Sequence, residues 1–311
     1  MASEFDFIDW IRSRVPASEA VCIPPGDDLA GLRWNSGELL LCGTDQVLDG
    51  VHFDANLHAP LQIGRKAMNR NLSDCAAMAC LPAAGLATLT LPRGRSIEYA
   101  KELFRGIEQA ARDFDCPIVG GDTAVWDGKL AICVSILGRS AGLEPVRRSG
   151  AQEGDRVYVS GALGGSWLGR HMAFEPRVKL ARTLRETGLI TAMIDISDGL
   201  SRDLGHICRE SGVGAVVFAE KIPIHEDAVR AAQDGTPALF HALHDGEDYE
   251  LLFTAPATAE ISSAVAIGRI TRESGLWLQH PDGRREPLKP LAWEHRFQPS
   301  SHRLRRPIDA K

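Results

Sequence analysis

The chain has 311 residues, 44% hydrophobic, 24% charged and 6% aromatic, proportions that exclude a disordered, collagen-like or disulfide-scaffold protein. At roughly 100–200 residues per domain, this length predicts two domains, each with its own core. With 35 basic against 41 acidic side chains the net charge is −6, and no basic stripe marks a nucleic-acid partner.

No stretch approaches the about 18 uninterrupted apolar residues that span a membrane. The acidic start, Met1 to Trp10, lacks the basic region of a signal peptide, so the chain reads as cytoplasmic. The basic run His302-Arg303-Leu304-Arg305-Arg306 reads as a solvated tail. Seven cysteines, an odd number with no C-x-x-C pair, read as reduced, mostly buried thiols.

Phe5, Ile8 and Ile11 recur at helical spacing and predict a short opening helix. Leu39 to Cys42 reads as a buried strand, and Pro60 opens a helix to about Cys80. Leu86 to Leu91 alternates like a strand, Ser96 to Phe114 reads as a helix, and strands follow at Ile118-Val119 and Leu130 to Leu137. The polar, turn-rich segment Gly142 to Gly154 marks a change of unit. Beyond it come a strand at Val157 to Val159, helices near Gly164 to His171 and Arg177 to Thr187, a strand at Ala192 to Ile196 and a helix at Leu200 to Ser211. Strands at Ala215 to Phe218, Tyr249 to Thr254 and Leu276 to Gln279 complete the pattern. The expected fold is α/β (α+β), with an N-terminal domain over 1–142, a C-terminal domain over 150–298 and a tail over 299–311.

The placement of the aspartates carries the functional signal. Asp27 and Asp28 follow Pro25-Gly26, Asp45 and Asp122 fall just past predicted strands, and Asp195 and Asp198 flank the turn into Leu200. Asp74 sits in the helical stretch Asn71-Leu72-Ser73-Asp74. Each alone is explained by a turn or an N-cap. Together they predict one crevice beyond the strand ends. Clustered carboxylates require a cation among them, and the scarcity of His and Cys in these motifs favours Mg²⁺ over zinc. His241-x-x-His244 reads as a surface helix face. Neither a P-loop nor a G-x-G-x-x-G after a strand is present. Gly161 to Ser166 suits either anion binding through backbone N–H groups or tight packing.

These motifs resemble the thiamine-monophosphate kinases, a family grouped with aminoimidazole ribonucleotide synthetase and selenophosphate synthetase. The matching stretches are Gly26-Asp27-Asp28, Thr44-Asp45 through Gly50-Val51-His52-Phe53, Asn71 to Asp74, Gly120-Gly121-Asp122-Thr123, Arg148-Ser149-Gly150, Ile194 to Leu200 and Gly246 to Leu251, in family order. The resemblance implies ATP- and Mg²⁺-dependent phosphorylation of thiamine monophosphate to thiamine diphosphate, the last step of that cofactor's biosynthesis. It also implies a homodimer that pairs two N-terminal domains in a barrel-like sheet. Carried over by motif, Asp28, Thr44, Asp45, Asp74, Asp122, Asp195 and Asp198 are metal ligands, with Asp45 and Asp198 central to catalysis. Gly121, Asp122, Arg148 and Ser197 meet ATP, while His52, Glu247 and Trp293 meet the thiamine moiety.

Two positions depart from the family pattern: Asp245 stands where Gly is common, and Gly43 where Ser is common. An acid beside Glu247 suits a cationic thiazolium or signals another substrate. The competing enzyme reading keeps the fold and changes the small substrate. A thiol-dependent relative is disfavoured by the apolar setting of Cys22. A binding protein without turnover would have shed several of these acids, and all are present.

Overall fold

The computed structural model describes residues 8–9, 12–13, 18–35 and 37–291, so most of the opening-helix segment and Trp293 lie outside the described residues. The N-terminal sheet is built from β1 (Val21–Ile23), β2 (Ala30–Asn35), β3 (Glu38–Leu48), β4 (Leu81–Pro92), β5 (Ile118–Trp126) and β6 (Ala131–Arg139), in the order β1-β2-β3-β6-β4-β5. Two helices, α1 (Pro60–Ala77) and α2 (Ile97–Arg112), cover one face. Pro60 opens α1 where the sequence places it, and the Ser96 hydroxyl caps α2 by accepting the Tyr99 N–H. The helices cross closely because Gly64 and Gly106 face each other's backbones. A Cβ on Gly64 would stand 2.0 Å from the Leu103 carbonyl oxygen, and one on Gly106 2.1 Å from that of Leu61.

Two strands outrun their apolar signals. β3 continues from Cys42 through Thr44 and Asp45 to Leu48, paired throughout with β6. β5 continues through Gly120, Gly121 and Asp122 to Trp126, parallel to β4. Backbone ladder bonds are indifferent to side-chain polarity, so a neighbouring strand extends a segment whose apolar pattern has ended. Asp45 and Asp122 therefore lie inside strands, not past their ends.

The second unit contains β7 (Arg156–Val159), α3 (Val178–Glu186), β8 (Ala192–Asp195), α4 (Leu200–Ser211), β9 (Gly214–Phe218), α5 (Glu226–Ala231), α6 (Ala238–His244), β10 (Leu251–Ala255), β11 (Val265–Thr271), β12 (Gly275–Gln279) and β13 (Arg285–Pro287). Its seven strands run β13-β12-β9-β11-β7-β10-β8. Only β9–β12 is parallel in this sheet, as only β4–β5 is in the first. Both sheets are thus mixed, and the crevice of an open parallel sheet is not the frame of the site. The helix expected over Gly164 to His171 is instead two 3₁₀ turns, Ser166–Leu168 and Arg170–Met172. Gly164, Gly165 and Gly169, at φ 89°, 69° and 137°, interrupt any α-helix there. All seven thiols are free: Cys75, Cys80, Cys116 and Cys208 are buried, and Cys22, Cys42 and Cys133 half-buried. No described helix is long and apolar enough to cross a membrane.

His241 and His244 are buried, contrary to the surface face expected of H-x-x-H, because α6 packs on α4 and seats His244 Nδ1 2.8 Å from the Ser201 hydroxyl. Burial pulls the His244 imidazole down to about 4. Between pH 4 and 6.5 the unfolded chain therefore binds more protons at this residue than the fold does, and stability falls with acidity. From pH 7 to 5 this residue's share is about 2 kcal/mol. His244→Gln is expected to shrink the acid-induced loss of unfolding free energy by that amount in denaturant titrations at the two pH values. An unchanged pH slope would contradict a neutral buried imidazole.

Candidate active site

The two units meet along α1. Its final turn carries Asp74, and the carboxylate oxygens of Asp28, Asp74 and Asp195 lie within 4.8 Å of one another. Asp28 comes from the β1–β2 turn, and Asp195 ends β8. The Ser73 hydroxyl bonds across the units to Asp195 Oδ2. Burial raises the Asp74 carboxyl well above its ordinary range, and the charges of Asp45, Asp195 and Asp28 raise it further. Burial and the charge of Asp28 push Asp195 up to about 7. Arg148 offsets part of this charge: Nη2 lies 2.9 Å and Nε 3.2 Å from the Asp28 carboxylate, while its backbone N–H donates to Asp27 Oδ1 at 2.7 Å. A largely solvent-shielded set of oxygen donors that repel one another, with Asp195 buried and Asp28 and Asp74 half-buried, fits a hard divalent cation. Asp198, Asp203 and His206 form a second group within 4.8 Å in the turn after β8 and the first turns of α4. There Asp203 accepts the Asp198 and Gly199 N–H groups, fixing the turn that presents Ser197 and Asp198.

Asp45 turns inward from β3 and accepts Arg70 Nε at 2.6 Å. Adjacent strand residues point to opposite faces. Accordingly the Thr44 hydroxyl lies on the outer face, donating to the Val134 carbonyl at 3.1 Å and accepting from Ser135 Oγ at 3.0 Å. The cross-strand line Asp45–Val134–Ala87–Gly121 spans three ladder steps, about 14 Å. Asp122 stands beside Thr88 on the outer face, exposed, its carboxylate accepting the Thr123 N–H at 2.8 Å. Within this chain, then, Asp28, Asp45, Asp74 and Asp195 converge, whereas the Thr44 hydroxyl and the Asp122 carboxylate face away from them. Gly121 must be glycine: a Cβ there would stand 1.8 Å from the Ala87 carbonyl oxygen.

The other end of the site is the loop 245–250. Glu247, 3% exposed, is ion-paired with the fully buried Lys66, and its second oxygen lies 3.4 Å from Arg70 Nη1. Lys66 Nζ also donates to the His52 carbonyl at 2.7 Å. Burial alone would raise the Glu247 carboxyl, but Lys66 and Arg70 pull it down to about 2. His52 is itself buried, with Nδ1 accepting the Leu48 N–H at 3.0 Å. Arg70 thus bridges Asp45 and Glu247, linking the acidic end to this one. Motif reading missed Lys66, Arg70 and Asp203. The signal for the first two was present: positions 66, 70 and 74 share one face of α1 at i, i+4 spacing, a charged stripe on a helix that is otherwise mostly buried.

Both departures from the family pattern have structural uses. The Asp245 carboxylate accepts the Gly165 N–H at 3.0 Å and lies 3.1 Å from His241 Nδ1, so it fastens the 164–166 loop. The Gly164 N–H is likewise taken by Asp248 at 3.0 Å. Two backbone donors of the Gly161–Ser166 segment therefore hold the chain's own carboxylates, and Cβ atoms on Gly164 and Gly165 would meet backbone at 2.5 and 2.2 Å. Gly43 lies against the buried Leu29, whose Cδ2 would be 2.5 Å from a Cβ there.

Comparison with known proteins agrees with this architecture. The AIR synthase related protein N-terminal domain matches residues 26–140, and the corresponding C-terminal domain matches 165–279. A thiamine-monophosphate kinase of Rhodopirellula baltica is 39% identical, covering 94% of this chain and 97% of its own length. One from Escherichia coli K12 is 33% identical over 86% and 87%. A solved structure, AaThiL complexed with AMPPCP and TMP, superposes with a TM-score of 0.83 at 30% identity, covering 94% of this chain and 97% of that one. Hydrogenase maturation protein HypE in complex with ATP shares the fold at 18% identity, with a TM-score of 0.69 and coverage of 84% and 87%. With both domains matched and relatives of this identity over nearly its whole length, the chain belongs to the thiamine-monophosphate kinase family.

Proposed function

We propose that this protein transfers the γ-phosphoryl group of ATP in line to thiamine monophosphate, giving thiamine diphosphate, in a Mg²⁺-dependent reaction. The observation that carries the reading is the convergence of Asp28, Asp74 and Asp195 from both units within 4.8 Å of one another, bordered by Arg148. Its similarity to AaThiL complexed with AMPPCP and TMP supports the substrate pair.

The acceptor is a phosphate monoester, whose second pKa near 6 leaves it largely ionised at neutral pH, so no general base is required. The difficulty is charge. Two dianions about 5 Å apart repel by roughly 3 kcal/mol in water and about 13 kcal/mol at an effective dielectric near 20. Asp28, Asp45, Asp74, Asp195 and Asp198 would hold Mg²⁺; the Thr44 hydroxyl and the Asp122 carboxylate, on the outer face of the sheet, would join as ligands only at a site shared with a second copy of the chain. The bound cation supplies neutralisation of the meeting phosphates. Arg148, kept protonated by Asp28 despite its burial, is a cation already aimed at this cluster. Ser197 and the bare backbone at Gly121 are assigned to ATP. His52 and Glu247 are assigned to the thiamine moiety together with Trp293, which lies outside the described residues.

A cytoplasmic location and a homodimer belong to the same proposal. The dimer surface would be the outer face of the N-terminal sheet, where Thr44 and Asp122 lie, and the β5 edge with its exposed Val119, Val125 and Trp126.

The test is ADP release coupled to a reporter, with thiamine diphosphate identified chromatographically. Product is expected only when ATP, thiamine monophosphate and Mg²⁺ are all present, and EDTA should stop it. ADP release without thiamine monophosphate, or with an amide-type acceptor in its place, would overturn the assignment.

A further inference from the structure

Tyr249 is 2% exposed, yet its hydroxyl has no hydrogen-bond partner among the described residues. An unpaired buried hydroxyl is unfavourable, and phenylalanine would fill the same space without it. Packing therefore explains the ring but not the oxygen.

The fold goes to some length to hold the ring in place. The Tyr249 backbone sits in the left-handed region at φ 53°, a conformation that side chains with a Cβ rarely adopt. Two backbone bonds to the β8 turn impose it: Tyr249 N–H to the Ile196 carbonyl at 2.8 Å, and Glu247 N–H to the Ser197 carbonyl at 2.7 Å. The ring then stacks on Phe174, centroids 3.8 Å apart and 15° between planes. Asn69 of α1 anchors Phe174 in turn, through a 2.8 Å bond to its carbonyl. Strain of this kind at a buried residue persists where surrounding structure over-determines it, and it concentrates at functional sites.

The hydroxyl's electrostatic neighbours are Arg70, Glu247, Asp45 and Asp195. Two of these, Asp45 and Asp195, belong to the acidic end of the site. Glu247 belongs to the other end, and Arg70 bridges both.

We propose that the Tyr249 hydroxyl contacts substrate directly, donating a hydrogen bond to an oxygen of the acceptor phosphate at the junction of the two ends. The ligand class is a phosphate monoester whose organic part lies toward Glu247. The inference rests on the kinase reading above and adds a residue to it. Burial raises the phenol well above its ordinary range, so it stays a donor throughout the working pH. A neutral donor on a ring held by stacking stabilises phosphate charge that gathers beside it.

The experiment compares Tyr249→Phe with the wild-type chain. The thermal midpoint of the variant is expected to equal or exceed that of wild type, since only an unpaired donor is lost. Affinity for a non-hydrolysable ATP analogue with Mg²⁺ should stay within about twofold. The kcat/KM for thiamine monophosphate should fall at least tenfold, on the order of 100-fold. Wild-type kcat/KM in the variant would overturn the proposal. So would a lowered midpoint with matching loss of analogue binding, which would make the hydroxyl structural. A wild-type chain that forms no thiamine diphosphate would instead bring down the kinase reading, and this inference with it.

Discussion

Replacing Asp74 by asparagine is expected to abolish phosphoryl transfer while making the metal-free protein harder to unfold. The carboxylate is half-buried and is raised well above its ordinary range by burial and by Asp45, Asp195 and Asp28. Asparagine keeps the shape and removes the repulsion, so the metal-free fold gains stability. Each kcal/mol gained shifts the midpoint of a chain of 311 residues by about 1.5 °C. The same charge is what a divalent cation requires. Loss of at least about 10³-fold in kcat/KM corresponds to roughly 4 kcal/mol of transition-state stabilisation. Wild type should gain thermal stability on adding Mg²⁺ through ligand linkage, and Asp74→Asn should gain much less. Asp45→Asn and Asp198→Asn should likewise lose turnover with the fold intact. Full activity of any of the three at saturating Mg²⁺ would remove that residue from the catalytic set.

The largest stability effect is expected at Lys66. Its side chain is fully buried, paired with Glu247 and bonded to the His52 carbonyl. Lys66→Met leaves the Glu247 carboxylate with Arg70, at 3.4 Å, as its ion-pair partner. Stripping one partner from a buried pair costs about 3–5 kcal/mol because the remaining charge stays in a poor solvent. Glu247→Gln in the Lys66→Met background removes that charge, so the double variant should recover most of the lost stability in denaturant titration. It should not recover use of thiamine monophosphate, since the carboxylate assigned to the thiamine moiety is gone. This split between stability and KM separates a packing role from a binding one. Additive losses in the double-variant cycle would show that the two side chains do not act as a pair.

How much of this was legible beforehand depends on the kind of signal. Helices with caps and period-3.6 faces were readable to within about three residues at either end: α1 from Pro60, α2 behind Ser96, and α4 from Leu200 to Ser211. Strands whose polar residues interrupt alternation were not. β3 through Thr44 and Asp45, and β5 through Gly120 to Trp126, are extended by their neighbours' hydrogen bonds. No element was expected over β2 or β11, whose pairings are likewise set by adjacent strands. The 3₁₀ turns after Gly165 replaced a helix because positive-φ glycines break the run.

Residue chemistry in the motifs determined the family, the set of acids and the need for a cation among them, because these follow from side-chain type and chain order. Only the tertiary structure decided which acids meet. Asp45 and its neighbour Thr44 point to opposite faces by the pleat of a strand that the apolar pattern did not extend so far. Lys66, Arg70 and Tyr249 acquired their significance in the same way. A buried cation or an unpaired hydroxyl exists only once α1, β8 and the 245–250 loop are packed together, and burial depends on contacts between residues as far apart as 66 and 247.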